Sequence, residues 1–333
     1  MVPKTTLRWA KSASGGAKSA SGGAKSASGG AKSASGGVVC ACLVAVLAAG
    51  CAGRSAGNAG PSAGTPAAGA PTAIQDTGSD TLLNLALAWA ERYMSENPQV
   101  RISVTGGGSG TGIASLINGT IQIANASREM SKEEIAEASK NGITPVKFTV
   151  ALDAIAVVAN PGNPVQGLTL QQLSDMYTGR ITRWADVGGR NAPVVLLSRE
   201  SNSGTYVYFL EQVIRLGNSK STALFSPETL LMPSSQGISA EVAQNPNSLG
   251  YDGLGYVTPE QKTIAVARTA AGPYVLPSVR TVLDKSYPVS RPLFMYTAGE
   301  PTGAVKEYLN WVMGDGQKLV RDVGFVPLEG SGG

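Results

Sequence analysis

VVLLSRESNSGTYVYFL, residues 194–210, is the stretch from which the fold is read. Val194 to Leu197 is an unbroken apolar run of buried-strand length, and YVYFLEQVIRLG from Tyr206 onward has the spacing of a helix. Between them stand Arg199 and three small residues, Ser203, Gly204 and Thr205. A strand therefore hands the chain to a loop that opens directly into a helix. The first turn of a helix carries amide N–H groups without intrahelical acceptors, together with the positive end of the macrodipole. Ser203, Gly204 and Thr205 thus present donors at one point, and Arg199 adds a planar fork of N–H groups suited to a tetrahedral oxyanion. Taken alone, the segment is equally a capped helix start beside a surface arginine.

Two other segments repeat the device. Asp76-Thr77-Gly78-Ser79-Asp80-Thr81 runs into LLNLALAWAERYM, whose apolar face is continuous and which stops before Pro98. The strand-like RISVT is followed by Gly106-Gly107-Gly108-Ser109-Gly110-Thr111-Gly112 and then IASLI. Three helix starts rich in glycine and hydroxyls, with one arginine, suit an anion held by many neutral donors.

Composition sets the limits. The chain has 333 residues, 42% hydrophobic and 15% charged, enough to bury a large core in two lobes. Its formal charge of +4 is a property of its N-terminus: six of the 27 basic residues, and none of the 23 acids, lie in residues 1–50. The remaining 21 bases against 23 acids leave no electrostatic footprint for nucleic acid. Histidine is absent, which removes the usual metal ligand and the usual base near neutral pH. Cysteine occurs only at positions 40, 42 and 51, so neither a zinc cluster nor a disulfide framework is available. No metal and no cofactor are expected.

Residues 10–37 are four copies of AKSASGG, a basic low-complexity stretch without an apolar seam. Val38 to Ala49 is an uncharged apolar run of about twelve residues, too short to span a bilayer. With bases before it and small residues after it, it reads as a secretory signal within residues 1–50. The signal ends in Leu47-Ala48-Ala49-Gly50-Cys51, which resembles the lipobox of bacterial lipoproteins and implies lipidation of Cys51. Several acyl chains give stable anchoring where one does not. The rest of 51–73 is then a Gly/Ala/Pro tether reaching roughly 25 Å as a Gly-rich coil.

From Ala73 onward strands and helices alternate, the pattern of a mostly parallel α/β fold. IQIANAS (121–127) reads as a strand, and Ser131 with Glu134 forms a capping box for a helix ending near Gly142. VKFTVALDAIAVVAN (146–160) is a long strand, and Thr169 with Gln172 repeats the capping box before LSDMY. Residues 226–286 are rich in turns and short strands; YPVSRPLFMYT (287–297) is strand-like and VKEYLNWVM helical.

The segments GGGSGTGIASLINGTIQIANASR, MYTGRITRWADV, and Arg199 with Ser203-Gly204-Thr205 resemble the substrate-binding lipoproteins of bacterial ABC-type high-affinity phosphate importers, over about residues 74–328. The resemblance implies a two-lobed periplasmic-binding-protein architecture of type II. Lobe I would be 74–151 plus 286–330 and lobe II 152–285, with chain crossings near Val150–Asp153 and near Tyr287. It implies a monomer that binds inorganic phosphate outside the cytoplasm, held to the membrane by its lipid and serving the permease subunits of an importer. The alternatives are a phosphate-sensing surface lipoprotein or a binder of sulfate or molybdate. Carried over by position, the ligands fall on Ser79, Asp80 and Thr81, on Ser109, on Ser127, and on Arg199, Ser203, Gly204 and Thr205. One position departs from the family. Where better-known members carry an acidic residue that accepts the proton of hydrogen phosphate, this chain has Arg128, which either joins the site or pairs with an acid such as Glu129 or Glu200.

Near neutral pH phosphate keeps a proton and sulfate does not, so a fixed carboxylate accepts a hydrogen bond from one and repels the other. Asp80 is the expected replacement acceptor, with Asp153 at the crossing as the alternative. Enzymatic readings fail on chemistry: there is no G-x-x-x-x-G-K-[ST] and no H-E-x-x-H, and Ser203 has no histidine to activate it.

Overall fold

Helix α1 (Asp80–Glu96) follows strand β1 (Thr72–Gly78) after a single residue. Leu82, Leu85, Ala86, Trp89, Ala90 and Tyr93 recur at helical spacing and are all buried, so one face of α1 lies on the sheet. The strand–helix pattern repeats in β2 (Val100–Thr105), α2 (Ser109–Ile117), β3 (Ile123–Ala126) and α3 (Lys132–Lys140). Next comes the long β4 (Val146–Ala159), followed by β5 (Gly167–Thr169), α4 (Leu170–Tyr177), β6 (Val195–Arg199), α5 (Gly204–Phe209), β7 (Leu230–Met232), α6 (Ser235–Gln244), β8 (Ser248–Gly253), β9 (Lys262–Ala267) and α7 (Val279–Leu283). The chain returns through β10 (Ser290–Thr297), α8 (Gly303–Met313) and α9 (Gln317–Asp322). These features come from a computed structural model that describes residues 72–328, within one compact unit, Thr65–Gly333. The basic repeats, the expected secretory signal, Cys51 and the expected tether up to residue 71 lie outside the described residues; Thr72 and Ala73, expected to end the tether, belong to β1. Among the described residues no helix is long and apolar enough to cross a membrane.

The main sheet has the order β2-β1-β3-β10-β4-β8-β6-β7, with β9 on β4 and β5 on β9. β1 is parallel to β2 and β3, so the C-terminal ends of all three point one way. β6 is likewise parallel to β8 and β7. Loops leaving the C-terminal ends of parallel strands are where an α/β sheet places its ligands. β4 joins the two sets: it runs antiparallel to β10 through Ala154 and antiparallel to β8 from Ile155. One strand therefore passes through two apolar cores. The first contains Leu82, Trp89, Tyr308 and Phe325 from α1, α8 and the C-terminal segment. The second contains Tyr177, Trp184, Phe209 and Tyr251. The fold is α/β, as the alternation in the sequence predicts, but its curled sheet is mixed rather than mostly parallel, because β10 pairs antiparallel with β3 and β4, and β4 with β8 and β9.

Both capping boxes are present, Ser131 with Glu134 and Thr169 with Gln172. Three expectations are corrected. The helix expected to run unbroken from Tyr206 is α-helical only to Phe209 and continues as a π-helical turn, Leu210–Ile214. β3 spans Ile123–Ala126 rather than 121–127. The stretch read as rich in turns and short strands, with no helix named in it, contains the ten-residue α6 and the shorter α7. α6 offers the sheet only Ile238 and Val242, too short an apolar stripe to stand out, and its start is fixed by the Ser234 hydroxyl accepting from Gly237 N.

The first core encloses a carboxyl. Asp76 is fully buried and neither of its oxygens has a hydrogen-bond partner. Desolvation pushes its pKa up to about 7, only partly offset by the nearby Asn125 amide. The folded state thus binds this proton more tightly than the unfolded chain, where the group titrates near 3.8. Stability from this group is full below about pH 4 and is lost as pH rises through about 7. Denaturant unfolding across this range is expected to show stability falling with pH, and the fall is expected to be smaller in Asp76→Asn. Identical pH profiles for the two proteins would contradict this assignment.

Candidate functional site

Arg199, the last residue of β6, is 1% exposed. Its strand is anchored on both sides. The Tyr177 hydroxyl sits between Leu197 O (3.1 Å) and Leu249 O (3.2 Å), and Ser198 Oγ meets the Tyr251 hydroxyl at 2.6 Å. Tyr251 stacks on Phe209 with ring centroids 3.7 Å apart. Trp184 Nε1 donates to Asn247 O at 2.9 Å, so the segment MYTGRITRWADV serves as the support beneath Arg199. The guanidinium donates through Nε to Met232 O (3.3 Å), through Nη1 to Ser235 Oγ (3.0 Å), and through Nη2 to Pro233 O (3.0 Å) and Asp80 Oδ2 (2.7 Å). Of its five N–H groups, one on Nη1 is left for a further acceptor.

Asp80 comes from the other core. Its Oδ1 accepts from Gly107 N (2.9 Å) while Oδ2 takes Arg199, and its main-chain oxygen accepts from the Tyr256 hydroxyl (2.5 Å). Ser79, the N-cap of α1, makes no side-chain capping bond. Asp80 therefore ties the first two loops to Arg199 instead of capping its own helix. Thr81 Oγ1 and Thr205 Oγ1 approach to 2.6 Å. Ser109 Oγ lies 3.3 Å from Ser127 Oγ and accepts from Ser127 N at 3.0 Å. Both serines face Gly204, where an added Cβ would stand 2.6 Å from Ser127 Oγ and closer still to Ser109 Oγ. Only glycine permits that approach. Asn202 completes the contact, accepting from Gly110 N (2.9 Å) and donating to Gly107 O (2.8 Å). Ser203 caps its own helix, its hydroxyl accepting from Thr205 N (3.2 Å) and Tyr206 N (3.4 Å).

The three strand-to-helix loops singled out in the sequence thus meet in one place. Arg128 does not meet them as a free charge. Its guanidinium forms a two-pronged pair with Glu134 (2.7 Å each) and donates to Glu129 O (2.9 Å). Of the two expectations for Arg128, pairing with a neighbouring acid is the one seen; the acid is Glu134, the capping-box acid of α3, rather than Glu129 or Glu200, and the Glu129 carboxylate takes Lys147. Asp153 is also committed, with Oδ1 accepting from Leu254 N (3.0 Å) and Oδ2 from Arg291 Nη2 (3.0 Å).

Sequence reasoning missed Arg291, Ser235 and Asp252. Arg291 is 3% exposed and Asp252 fully buried. A lone base inside the apolar strand YPVSRPLFMYT and a lone acid inside SLGYDGLGYV were the available signals, since alternation along a strand carries every second residue inward. Burial raises the Asp252 pKa to about 7 against the pull of the Ser235 hydroxyl and the Arg199 charge. Two buried arginines therefore face three buried carboxyls, one of which is readily neutralised. With the fixed charges nearly balanced, an anion here is held chiefly by hydroxyl and amide donors.

A family model described as a PBP superfamily domain matches residues 65–315, most of the chain. The chain belongs to the PBP superfamily. Among PBP relatives it is 33% identical to the phosphate-binding protein PstS of Pseudomonas aeruginosa, over 79% of this chain and 85% of that one. It is 30% identical to the phosphate-binding protein PstS of Bacillus subtilis, over 76% of this chain and 79% of that one. Of solved structures, a Clostridium perfringens substrate-binding protein assigned to a phosphate ABC transporter, with bound phosphate, superposes with TM-score 0.68 at 29% identity, covering 78% of this chain and all of that one. An ABC-type phosphate transport receptor of Vibrio cholerae superposes with TM-score 0.62 at 28% identity, over 77% of this chain and all of that one.

Proposed function

We propose that this protein binds inorganic phosphate outside the cytoplasm by closing two halves of its fold on the anion, and delivers it to the permease subunits of an ABC importer. The observation that carries the reading is the meeting of Asp80, Thr81, Ser109 and Ser127 from one core with Arg199, Gly204 and Thr205 from the other. Such a site is complete only when both halves contribute. The ligand set proposed is Ser79, Asp80, Thr81, Ser109, Ser127, Arg199, Ser203, Gly204 and Thr205, without Arg128, whose charge Glu134 already neutralises. The halves correspond to residues 74–151 with 286–330, and to 152–285.

Binding without catalysis fits the chemistry present, because none of the site hydroxyls has a base positioned to activate it as a nucleophile. Micromolar capture needs about 8 kcal/mol. Hydrogen bonds to a charged group contribute about 1.5–3 kcal/mol each. Several donors from both halves suffice, and those of one half fall short. The protein acts as a monomer, held to the membrane by acyl chains on Cys51.

Calorimetric titration of the full-length protein with phosphate, sulfate, arsenate and molybdate in turn tests the reading. Tight binding of phosphate and arsenate with weak binding of sulfate is expected. Equal affinity for all four, or no heat with phosphate, would overturn it.

A further inference from the structure

Arg291 was not among the residues read from the sequence, yet it touches both halves of the site. Nη1 donates to Ser127 O (2.9 Å), and Nη2 donates to Thr205 Oγ1 (2.8 Å) and, at longer range, to Thr81 Oγ1 (3.4 Å). Nε and Nη2 are also bound to Asp153 Oδ2 (3.3 and 3.0 Å), and the guanidinium lies over the Tyr208 ring, 5.5 Å from its centroid. From the functional reading above, on which this step rests, we infer that Arg291 is a positioning residue for anion binding: it occupies an acceptor site of the Thr81–Thr205 hydroxyl pair and holds the pair so that its spare O–H is donated to the anion.

The argument is a count of protons and lone pairs. Each hydroxyl has one proton and two acceptor sites. At 2.6 Å the two oxygens share one of their two protons. Arg291 supplies only donors, so it fills an acceptor site on Thr205 and never takes a proton. If Thr81 donates to Thr205, both acceptor sites of Thr205 are filled and its own proton points outward. If Thr205 donates to Thr81, the Thr81 proton is the one left over. Either way one O–H remains, polarised by a charge-assisted bond behind it. Asp153 holds the arginine in place and balances its charge, so the charge reaches the anion mainly through the hydroxyls. The site then has a donating pole at Thr81 and Thr205 and an accepting pole at Asp80. An oxyanion with one protonated oxygen satisfies both when that oxygen faces Asp80.

The test is a cycle of variants read by phosphate calorimetry, with thermal unfolding measured separately. Arg291→Lys keeps a cation beside Asp153, but one ammonium cannot also reach Ser127 O and Thr205 Oγ1 in the same geometry. It is expected to raise the phosphate Kd at least tenfold in the wild-type background, and less than twofold when Thr81→Val and Thr205→Val have already removed the hydroxyls. Equal fold-losses in the two backgrounds would overturn the inference, because a merely structural arginine costs the same in both. Should Arg291→Lys not fold, the same cycle with Asp153→Asn and Arg291→Gln, which neutralises the pair together, decides by the same criterion. Wild-type protein that fails to bind phosphate would overturn the functional reading itself. Binding by the wild type with additive losses would overturn this inference alone.

Discussion

Arg199→Ala is expected to weaken phosphate binding by two to three orders of magnitude. That is a loss of roughly 3–4 kcal/mol, what one or two hydrogen bonds to a charged group contribute. The side chain joins the halves: it starts from β6 on one core and ends on Asp80 of the other. Truncation removes the proton offered to the anion and also the tie that holds the closed arrangement, so both contributions have the same sign. The sequence alone suggests that the fold would be indifferent to this change. The structure adds a cost, because Pro233 O and Ser235 Oγ lose the Arg199 donor and Asp80 is left without its cation. Leaving one member of a buried pair uncompensated typically costs about 3–5 kcal/mol. The midpoint of thermal unfolding is therefore expected to fall too, and affinity should be measured well below it. Wild-type affinity in this variant would remove Arg199 from the site, whatever the stability.

The part of the site that was legible in the sequence is the part carried by local pattern. Glycine and hydroxyl residues between a strand and a helix declare themselves within seven or eight residues, and the loops at Ser79, Ser109 and Ser203 were readable in that way. Asp80 was readable because it stands inside such a loop. The supporting residues were not. Ser235 starts a helix with only two buried apolar side chains, and Asp252 and Arg291 lie in strands whose neighbours are apolar. Nothing local says that these residues face Arg199 and the Thr81–Thr205 pair; that follows from β8 lying beside β6 and from β10 lying between β3 and β4. Arg128 illustrates the converse. Its place in the sequence puts it at the site, but the acid that absorbs its charge, Glu134, is read locally as a helix cap and performs both tasks at once.

Asp80→Asn is expected to collapse discrimination between phosphate and sulfate by about two orders of magnitude, mostly through tighter sulfate binding. Two effects act together. The carboxylate presents negative charge to an anion that has no proton to offer it, and such like-charge juxtaposition costs several kcal/mol in a closed site. An amide removes that repulsion. It also releases Arg199, whose Nη2 now spends a proton on Asp80 Oδ2 at 2.7 Å. Both changes favour sulfate. Phosphate loses an acceptor for its hydroxyl but gains from the freed guanidinium, so its own affinity should move much less than that of sulfate. Asparagine retains a carbonyl for Gly107 N, which keeps the second loop in register and makes the substitution gentler than alanine. Titration of the variant with each anion, alone and in competition, measures the ratio directly. If the preference for phosphate survived unchanged, Asp80 would be serving only to hold Arg199, and the proton of the bound phosphate would have to be received by another acceptor. Asp153 is the less available, because its oxygens already accept three hydrogen bonds, from Leu254 N and from Arg291 Nε and Nη2, against two at Asp80; an unchanged ratio would therefore turn attention to Asp252, the remaining buried acid of the network, whose Oδ2 has no partner.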